Sequence, residues 1–214
     1  MVVLAIDRST DVPSVALAAN GKIVGRIFEG ENARSADWPE KVKGFLSESC
    51  LSFCDLDRLV VGTGPGSFAG IRGALAFAQG LAIGIRAKRP ESSADPVVYG
   101  LPSASALAQD EGLTAVVGDA RRGLFWVVVY AGARTVSDFR LVTREELATA
   151  VHETVAITTP DGVRIGALLA EIFGTRFRGG QSPSAERLVH LAVSHPEILV
   201  PEPLPIYLSP AVRT

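Results

Sequence analysis

Two stretches of this chain read alike, and that likeness limits the fold more than any other feature. Val2–Ile6 is a continuous apolar run that closes on Asp7, and Leu113–Gly118 is another that closes on Asp119. Unbroken apolar runs of this length suit strands buried on both faces. A short polar turn follows each acid, and a second strand follows the turn: Ser14–Ala18 in the first case, Leu124–Tyr130 in the second, across Arg121-Arg122-Gly123. Asn20-Gly21 then signals a hairpin into Lys22–Phe28, because both residues tolerate positive φ. The opening is therefore a three-stranded antiparallel meander with Asp7 at the end of its first strand. The two units lie about half a chain apart, as in an internal duplication.

Helical signals fall between and after these meanders. Glu29–Asp37 is polar and reads as a loop. Trp38–Leu51 carries apolar residues at 38, 42, 45, 46 and 50, which is helical spacing, with Pro39 in the first turn. Leu59–Gly62 reads as a short buried strand. It runs into the glycine-rich stretch Gly62–Gly73, which opens a small-residue helix through about Leu81. Polar Lys88–Asp95 breaks the chain before a strand at Val97–Tyr99. Ser103–Gln109 reads as a helix, as do Thr143–Ala150, Ile165–Phe173 and Ala185–Val193; Thr143 and Glu146 form a capping box. The tail Pro201–Thr214 holds four prolines and cannot be a regular helix. Two meander-plus-helix units, each with an acid after its first strand, predict an α/β protein of two RNase-H-like lobes. That is the architecture of the actin-like ATPases (the ASKHA fold) and sugar kinases. The lobes are expected at 1–103 and 104–214.

Composition excludes several classes. A chain of 214 residues buries enough surface, roughly 70% of the unfolded total, to fold without a metal or disulfide. It has 23 acidic and 21 basic residues and a pI near 5.9. Nucleic-acid-binding domains usually lie above about 9, so a partner would supply most of the grip on any nucleic acid. Cys50 and Cys54, four apart on one predicted helical face, read as core or groove filler rather than a disulfide framework. No basic-then-apolar leader precedes the first strand. The longest apolar stretch, Ala74–Ile85, is 12 residues, short of the ~20 that a membrane span needs. The expectation is a soluble, cytoplasmic chain with no membrane association.

Each motif has two readings. Gly64, Gly66 and Gly70 lack Cβ, so the chain there can turn tightly and approach a phosphate or another backbone, and the helix that follows points N–H groups outward. With Ser67 they form a candidate nucleotide or phosphate loop, or a tight strand–helix turn in a packed lobe. The Walker ending Gly-Lys-Ser/Thr and the Rossmann spacing are both missing. Asp7, with Ser9 and Thr10, sits where actin-like kinases place a phosphate loop and a metal-water carboxylate, and Asp119 sits at the matching place in lobe two. Alternatively each acid caps its own turn through backbone N–H groups, or pairs with Arg8, Arg121 or Arg122. His152, His190 and His195 lack zinc-ligand spacing, and there is no Gly-x-Ser-x-Gly elbow, so neither a catalytic nor a metal residue is assigned. The small-residue helix suits either a central core helix or a helix–helix interface between subunits.

At the glycine stretch the sequence resembles the TsaB (YeaZ) family. The residues that carry the resemblance are Gly62-Thr63-Gly64-Pro65-Gly66-Ser67-Phe68-Ala69-Gly70-Ile71-Arg72-Gly73 with Ala78-Gln79-Gly80-Leu81-Ala82, the opening Leu4–Thr10, Asp119–Gly123 with Tyr130, and Pro205-Ile206-Tyr207-Leu208. They occur in order along the whole chain. The resemblance implies the actin-like fold with a reduced second lobe, and a role in synthesis of threonylcarbamoyladenosine in tRNA. In that family the transfer chemistry belongs to the paralogue TsaD, which holds its metal with histidines. Pro96–Gln109, where the paralogue has His-x-x-x-His, contains none here.

The resemblance further implies a non-catalytic partner of TsaD that self-pairs when alone, meets a TsaE-type ATPase through the complex, and touches tRNA indirectly. It requires no cofactor of its own, with at most weak or shared ATP or ADP. Carried onto this chain, the implied partner surface is Trp38, Val42, Phe45 and Leu46 on the first helix and Ile71, Ala74, Leu75, Phe77, Ala78 and Leu81 on the second. Two departures adjoin it: Asn32–Asp37 lacks the His of the usual Glu-His-Ser/Thr, and Lys88–Asp95 is long. An independent actin-like ATPase or kinase is the alternative function. A metalloprotease is disfavoured by the absence of a zinc-ligand pair.

Overall fold

The computed structural model describes residues 1–28, 38–89, 96–151 and 156–208. The elements are β1 (Val2–Asp7), β2 (Ser14–Ala19), β3 (Lys22–Phe28), α1 (Trp38–Glu48), β4 (Arg58–Gly62), α2 (Phe68–Arg86), β5 (Val97–Leu101), β6 (Leu113–Arg121), β7 (Leu124–Ala131), β8 (Arg134–Thr135), β9 (Arg140–Val142), α3 (Arg144–Ala150), β10 (Ala156–Thr159), α4 (Gly162–Phe173), β11 (Phe177–Gly180), α5 (Ala185–Ser194) and β12 (Val200–Pro201). The expected loop Glu29–Asp37, the Asn32–Asp37 departure, most of the long polar segment (90–95), and His152 lie outside the described residues.

The duplication is visible in the strand orders. The first sheet runs β12-β5-β4-β1-β2-β3 and the second β11-β10-β6-β7-β8, with β9 also on β7. In the first, β1 is antiparallel to β2 and parallel to β4, and β4 is parallel to β5. In the second, β6 is antiparallel to β7 and parallel to β10, and β10 is parallel to β11. Each unit is thus an antiparallel meander extended by two parallel strands, with a helix before each parallel strand. This is the expected RNase-H-like topology, found twice.

Alternation along the strands sorts the first core. Leu4, Ile6, Leu17, Leu59 and Val61 face Val42 and Leu46 of α1 and Ile71, Ala74 and Ala78 of α2, all buried. The opposite face carries buried Val3, Ala5, Ala16 and Ala18. Its small side chains let α5 lie against β1, β2 and β4. The second sheet repeats the first arrangement: Ala115, Val117, Phe125, Val127 and Ile157 pack with Leu147 of α3 and Ile165, Leu169 and Phe173 of α4. Full burial of each large aliphatic side chain contributes roughly 1.5–3 kcal/mol. The Thr143–Glu146 capping box forms as expected, with Glu146 N–H donating to Thr143 Oγ1 and Thr143 N–H to Glu146 Oε2 at 2.9 Å.

Some expectations need correction. The chain divides into Met1–Ala106 with Ser184–Pro205, and Leu107–Pro183 with Ile206–Thr214. The division at 103/104 lies close to the first crossing, but α5 and β12 return to the first unit. Helix α1 ends at Glu48 rather than Leu51: Leu51 N–H bonds the Leu46 carbonyl and Cys50 N–H the Ser47 carbonyl, with Cys50 left-handed at φ 56°. That is a Schellman stop. Cys54 falls in a separate 3-10 turn, Phe53–Asp55, and both thiols are exposed, so they are neither on one helical face nor core filler. Ser103–Leu107 is a 3-10 segment, not a longer helix. Helix α2 runs to Arg86, beyond Leu81. With 19 residues and a mean hydropathy of 1.4 it is long and apolar enough to cross a membrane by those measures alone, and its buried residues pack in the first core.

Candidate functional site

The glycine turn links β4 to α2 and closes on two neighbours. Thr63 N–H donates to the Leu101 carbonyl at 2.8 Å, Ser103 N–H to the Gly64 carbonyl at 2.8 Å, and Gly64 N–H to Ser103 Oγ at 3.0 Å. On the other side Ser67 N–H donates to the Ser9 carbonyl at 2.7 Å. A Cβ on Gly66 would lie 2.1 Å from that Ser9 oxygen, and one on Gly70 would lie 2.0 Å from the Arg8 carbonyl oxygen. Both close approaches that the missing side chains allow are therefore to the β1–β2 turn of the same unit. Ser67 caps α2, accepting from Gly70 N–H at 3.3 Å.

Asp7 sits beneath this turn with no exposed surface. Its Oδ1 accepts from Ser9 N–H at 2.9 Å and Ser9 Oγ at 2.7 Å. Its Oδ2 has no hydrogen-bond partner among the described residues, and a Cβ on Gly62 would strike it at 1.9 Å. Burial raises the Asp7 carboxyl above its ordinary value, and the Ser103 and Ser9 hydroxyls oppose that shift without cancelling it. Thr10 turns its hydroxyl toward its own loop, accepting from Val12 N–H at 3.3 Å.

Asp119, the counterpart in the second unit, makes the same local bond: its Oδ1 accepts from Arg121 N–H at 2.8 Å, again two residues on. The turn-capping reading thus describes both acids. Asp119 Oδ2 meets Arg164 Nε at 2.9 Å and Arg121 at 3.5 Å, while Asp161 pairs with Arg164 and accepts from Asp119 N–H at 2.8 Å. Burial is the leading cause that raises the Asp161 carboxyl, followed by opposing help from the Asp119 N–H and Arg164. Sequence reasoning missed Asp161 and Arg164 because it missed β10; the β-branched run ending at Pro160 was the available signal. Tyr130 is buried in β7, and burial pushes its titration upward, with Thr135 opposing that shift.

The expected partner surface divides in two. Val42, Leu46, Ile71, Ala74, Leu75 and Ala78 have their side chains inside the first core. They cannot meet a partner, because a helix that covers a sheet turns its bulky side inward. Trp38, Phe45, Phe77 and Leu81 are half-buried against that core. Trp38 meets Phe77 in a tilted ring contact with centres 4.4 Å apart, and the Arg8 guanidinium lies 4.7 Å from the Trp38 ring centre. The outward side of α2 carries Ala69, Gly73, Ala76, Gly80, Ile83 and Gly84, which belong largely to the small-residue helix read from the sequence. Their spacing of three and four makes one continuous helical stripe. It is smooth, and Ile83 at its far end is 70% exposed. Among the described residues no group of His, Cys, Asp or Glu is arranged to hold a metal ion.

The repeated meander-plus-two-strands topology defines the class: an actin-like ATPase fold. YeaZ from Pseudomonas aeruginosa has the same fold, with a TM-score of 0.74 at 24% identity over 97% of this chain and 99% of that one. A Pseudomonas aeruginosa protein described as similar to peptidase YeaZ gives 0.76 at 23% identity over the same shares. A family model for TsaD, tRNA N6-adenosine threonylcarbamoyltransferase, matches residues 35–162. The chain belongs to that family, on the side of its TsaB (YeaZ) members. An uncharacterized protein of Mycobacterium tuberculosis is 35% identical over 141 residues, 63% of this chain and 62% of that protein. The tRNA threonylcarbamoyladenosine biosynthesis protein TsaB of Escherichia coli is 37% identical over 84 residues, 39% of this chain and 36% of that one. The matched stretch spans less than two thirds of each of these relatives.

Proposed function

We propose that this chain acts in tRNA threonylcarbamoyladenosine biosynthesis as a non-catalytic subunit that binds and supports a TsaD-type transferase. The observation that carries this reading is α2: an apolar helix of 19 residues, buried on one side, with a smooth stripe from Ala69 to Gly84 on the other. Small side chains on such a stripe let a second helix approach closely, and half-buried Phe77 and Leu81 flank it. The same stripe pairs two copies of the chain when the transferase subunit is absent. On this reading the chain requires no nucleotide of its own and holds ATP or ADP at most weakly or shared with a partner; the packing of Gly66 and Gly70 against the Arg8–Ser9 backbone and the burial of Asp7 support it. The transfer reaction and the TsaE-type ATPase reside on other subunits.

Light scattering after gel filtration tests this, with the chain alone and mixed with the TsaD-type paralogue of the same organism. The expected result is a one-to-one complex that forms at the expense of a homodimer, burying about 1,600 Å² in total. Absence of a complex with and without ATP and magnesium overturns the reading and brings an independent ATPase forward.

A further inference from the structure

We propose that the Arg121-Arg122-Gly123 hairpin tip is a contact for RNA phosphate, so that this subunit touches its RNA directly. The proposal rests on the reading above only for the identity of that RNA as tRNA.

The first argument comes from a comparison within the chain. Two tight hairpins share one backbone shape: Asn20-Gly21 at φ 51° and 76°, and Arg122-Gly123 at φ 55° and 78°. Asn is the residue such a turn favours, because it tolerates the left-handed region; an arginine there is strained. Arg121, at the bulge between β6 and β7, is left-handed as well, at φ 69°. Turn geometry therefore explains Asn20 and does not explain Arg121-Arg122. Observed backbone strain of this kind points to a role for the side chain.

The second argument is charge. Arg121 and Arg122 are exposed, and Arg122 has no ion pair with any described residue. The acids below the tip are already matched: Asp119 by Arg164 and Arg121, Asp161 by Arg164. Three guanidinium groups, those of Arg121, Arg122 and Arg164, against two carboxylates leave this edge cationic in a chain whose net charge is −2. The third argument is rigidity. Arg121 N–H is bonded to Asp119, Asp119 N–H to Asp161, and Arg164 ties both acids, so the tip is braced before any ligand arrives. A braced pair of planar, forked donors suits phosphate oxygens. The acidic balance of the whole chain keeps such a contact weak alone, which fits one grip among several in a complex.

The test is fluorescence anisotropy of labelled, unmodified tRNA against the complex with the TsaD-type partner, and in parallel against this chain alone at low salt. Arg122→Asn keeps the turn and relieves its strain. Its expected signature is an unchanged or raised melting temperature together with several-fold weaker tRNA binding. The slope of log affinity against log salt should fall by about 0.7–0.9, the value for one lost phosphate contact. Equal affinity and slope for the two proteins overturn the proposal, as does absence of tRNA binding in both arms. Loss of protein pairing with tRNA affinity unchanged also overturns it and makes the tip a protein contact. If no protein complex forms, the functional reading fails by itself, and the slope difference for the chain alone still decides the hairpin.

Discussion

At Gly70 a single backbone oxygen decides which residue is tolerated. A methyl group there would lie 2.0 Å from the Arg8 carbonyl, which cannot yield without moving the β1–β2 turn. Gly70→Ala is expected to lose about 2 kcal/mol or more in urea unfolding. Gly73, one turn on, has open space around its missing side chain, so Gly73→Ala should gain about 0.5–1 kcal/mol from helix propensity alone. Equal effects at the two positions would refute the packing account. The motif itself was plain in the sequence, but spacing cannot distinguish a phosphate from a carbonyl as the thing approached. Asp7 gives the second prediction at this scale. Its folded-state pKa lies above the ordinary 3.8, so the folded chain keeps a proton that the unfolded chain releases. The stabilisation is complete below the ordinary carboxylate range and is lost as pH rises through the raised value, by up to about 1.4 kcal/mol per pH unit. Asp7→Asn cannot titrate and should flatten that decline above about pH 4; a mutant whose stability follows pH as the parent does would show that Asp7 is not its source.

Helix α2 shows what a run of small residues reveals and what it hides. The glycine-rich turn followed by a run of small residues located the helix, not a 3.6-residue pattern, and it left open which face turns inward. Bulk favours the inward face without deciding every position: Ile71, Leu75 and Ile85 went in and Gly73, Gly80 and Gly84 stayed out, but Phe68 and Ile83 are exposed while Ala74 and Ala78 are buried. Side-chain volume was the available signal, and a partial one. Ala76 and Ala78 turn this into an experiment, since they are two residues apart on opposite sides. Ala76→Glu should melt within about 0.5 kcal/mol of the parent, as an exposed substitution does, and abolish pairing in light scattering. Ala78→Glu buries a charge in the first core and should cost several kcal/mol or prevent folding. A folded Ala76→Glu protein that still pairs with its partner would remove the stripe from the interface. Strand β10 was missed for a different reason. Four residues between a helix and a proline offer too short a window for either period, and only the β-branched pair Thr158-Thr159 with Ile157 marks it.

For the whole molecule, the duplication was legible because each half announces itself with an apolar run and an acid. The path of the chain was not legible, because nothing local in Ala185–Ser194 says which sheet its apolar side will cover. It covers the first: Ala185, Leu188, Val189, Leu191 and Ala192 are buried, Ala185 N–H donates to Ser14 Oγ at 2.8 Å, and Arg26 pairs with Glu186. β12 then adds to β5 by antiparallel pairing. A cut at the apparent lobe boundary would therefore strip one face of the first sheet. Restoring water to three or more large aliphatic side chains at roughly 1.5–3 kcal/mol each is comparable with the whole stability of a domain, 5–15 kcal/mol. A fragment of residues 1–106 should show no cooperative unfolding transition. The same fragment joined through a flexible linker to residues 184–205 should recover one, with protected amides in β1, β2 and β4 by hydrogen exchange. A cooperative transition in 1–106 alone, at the midpoint of the joined fragment, would mean that α5 is an accessory to the first sheet and that its alanine-rich face is stable in water.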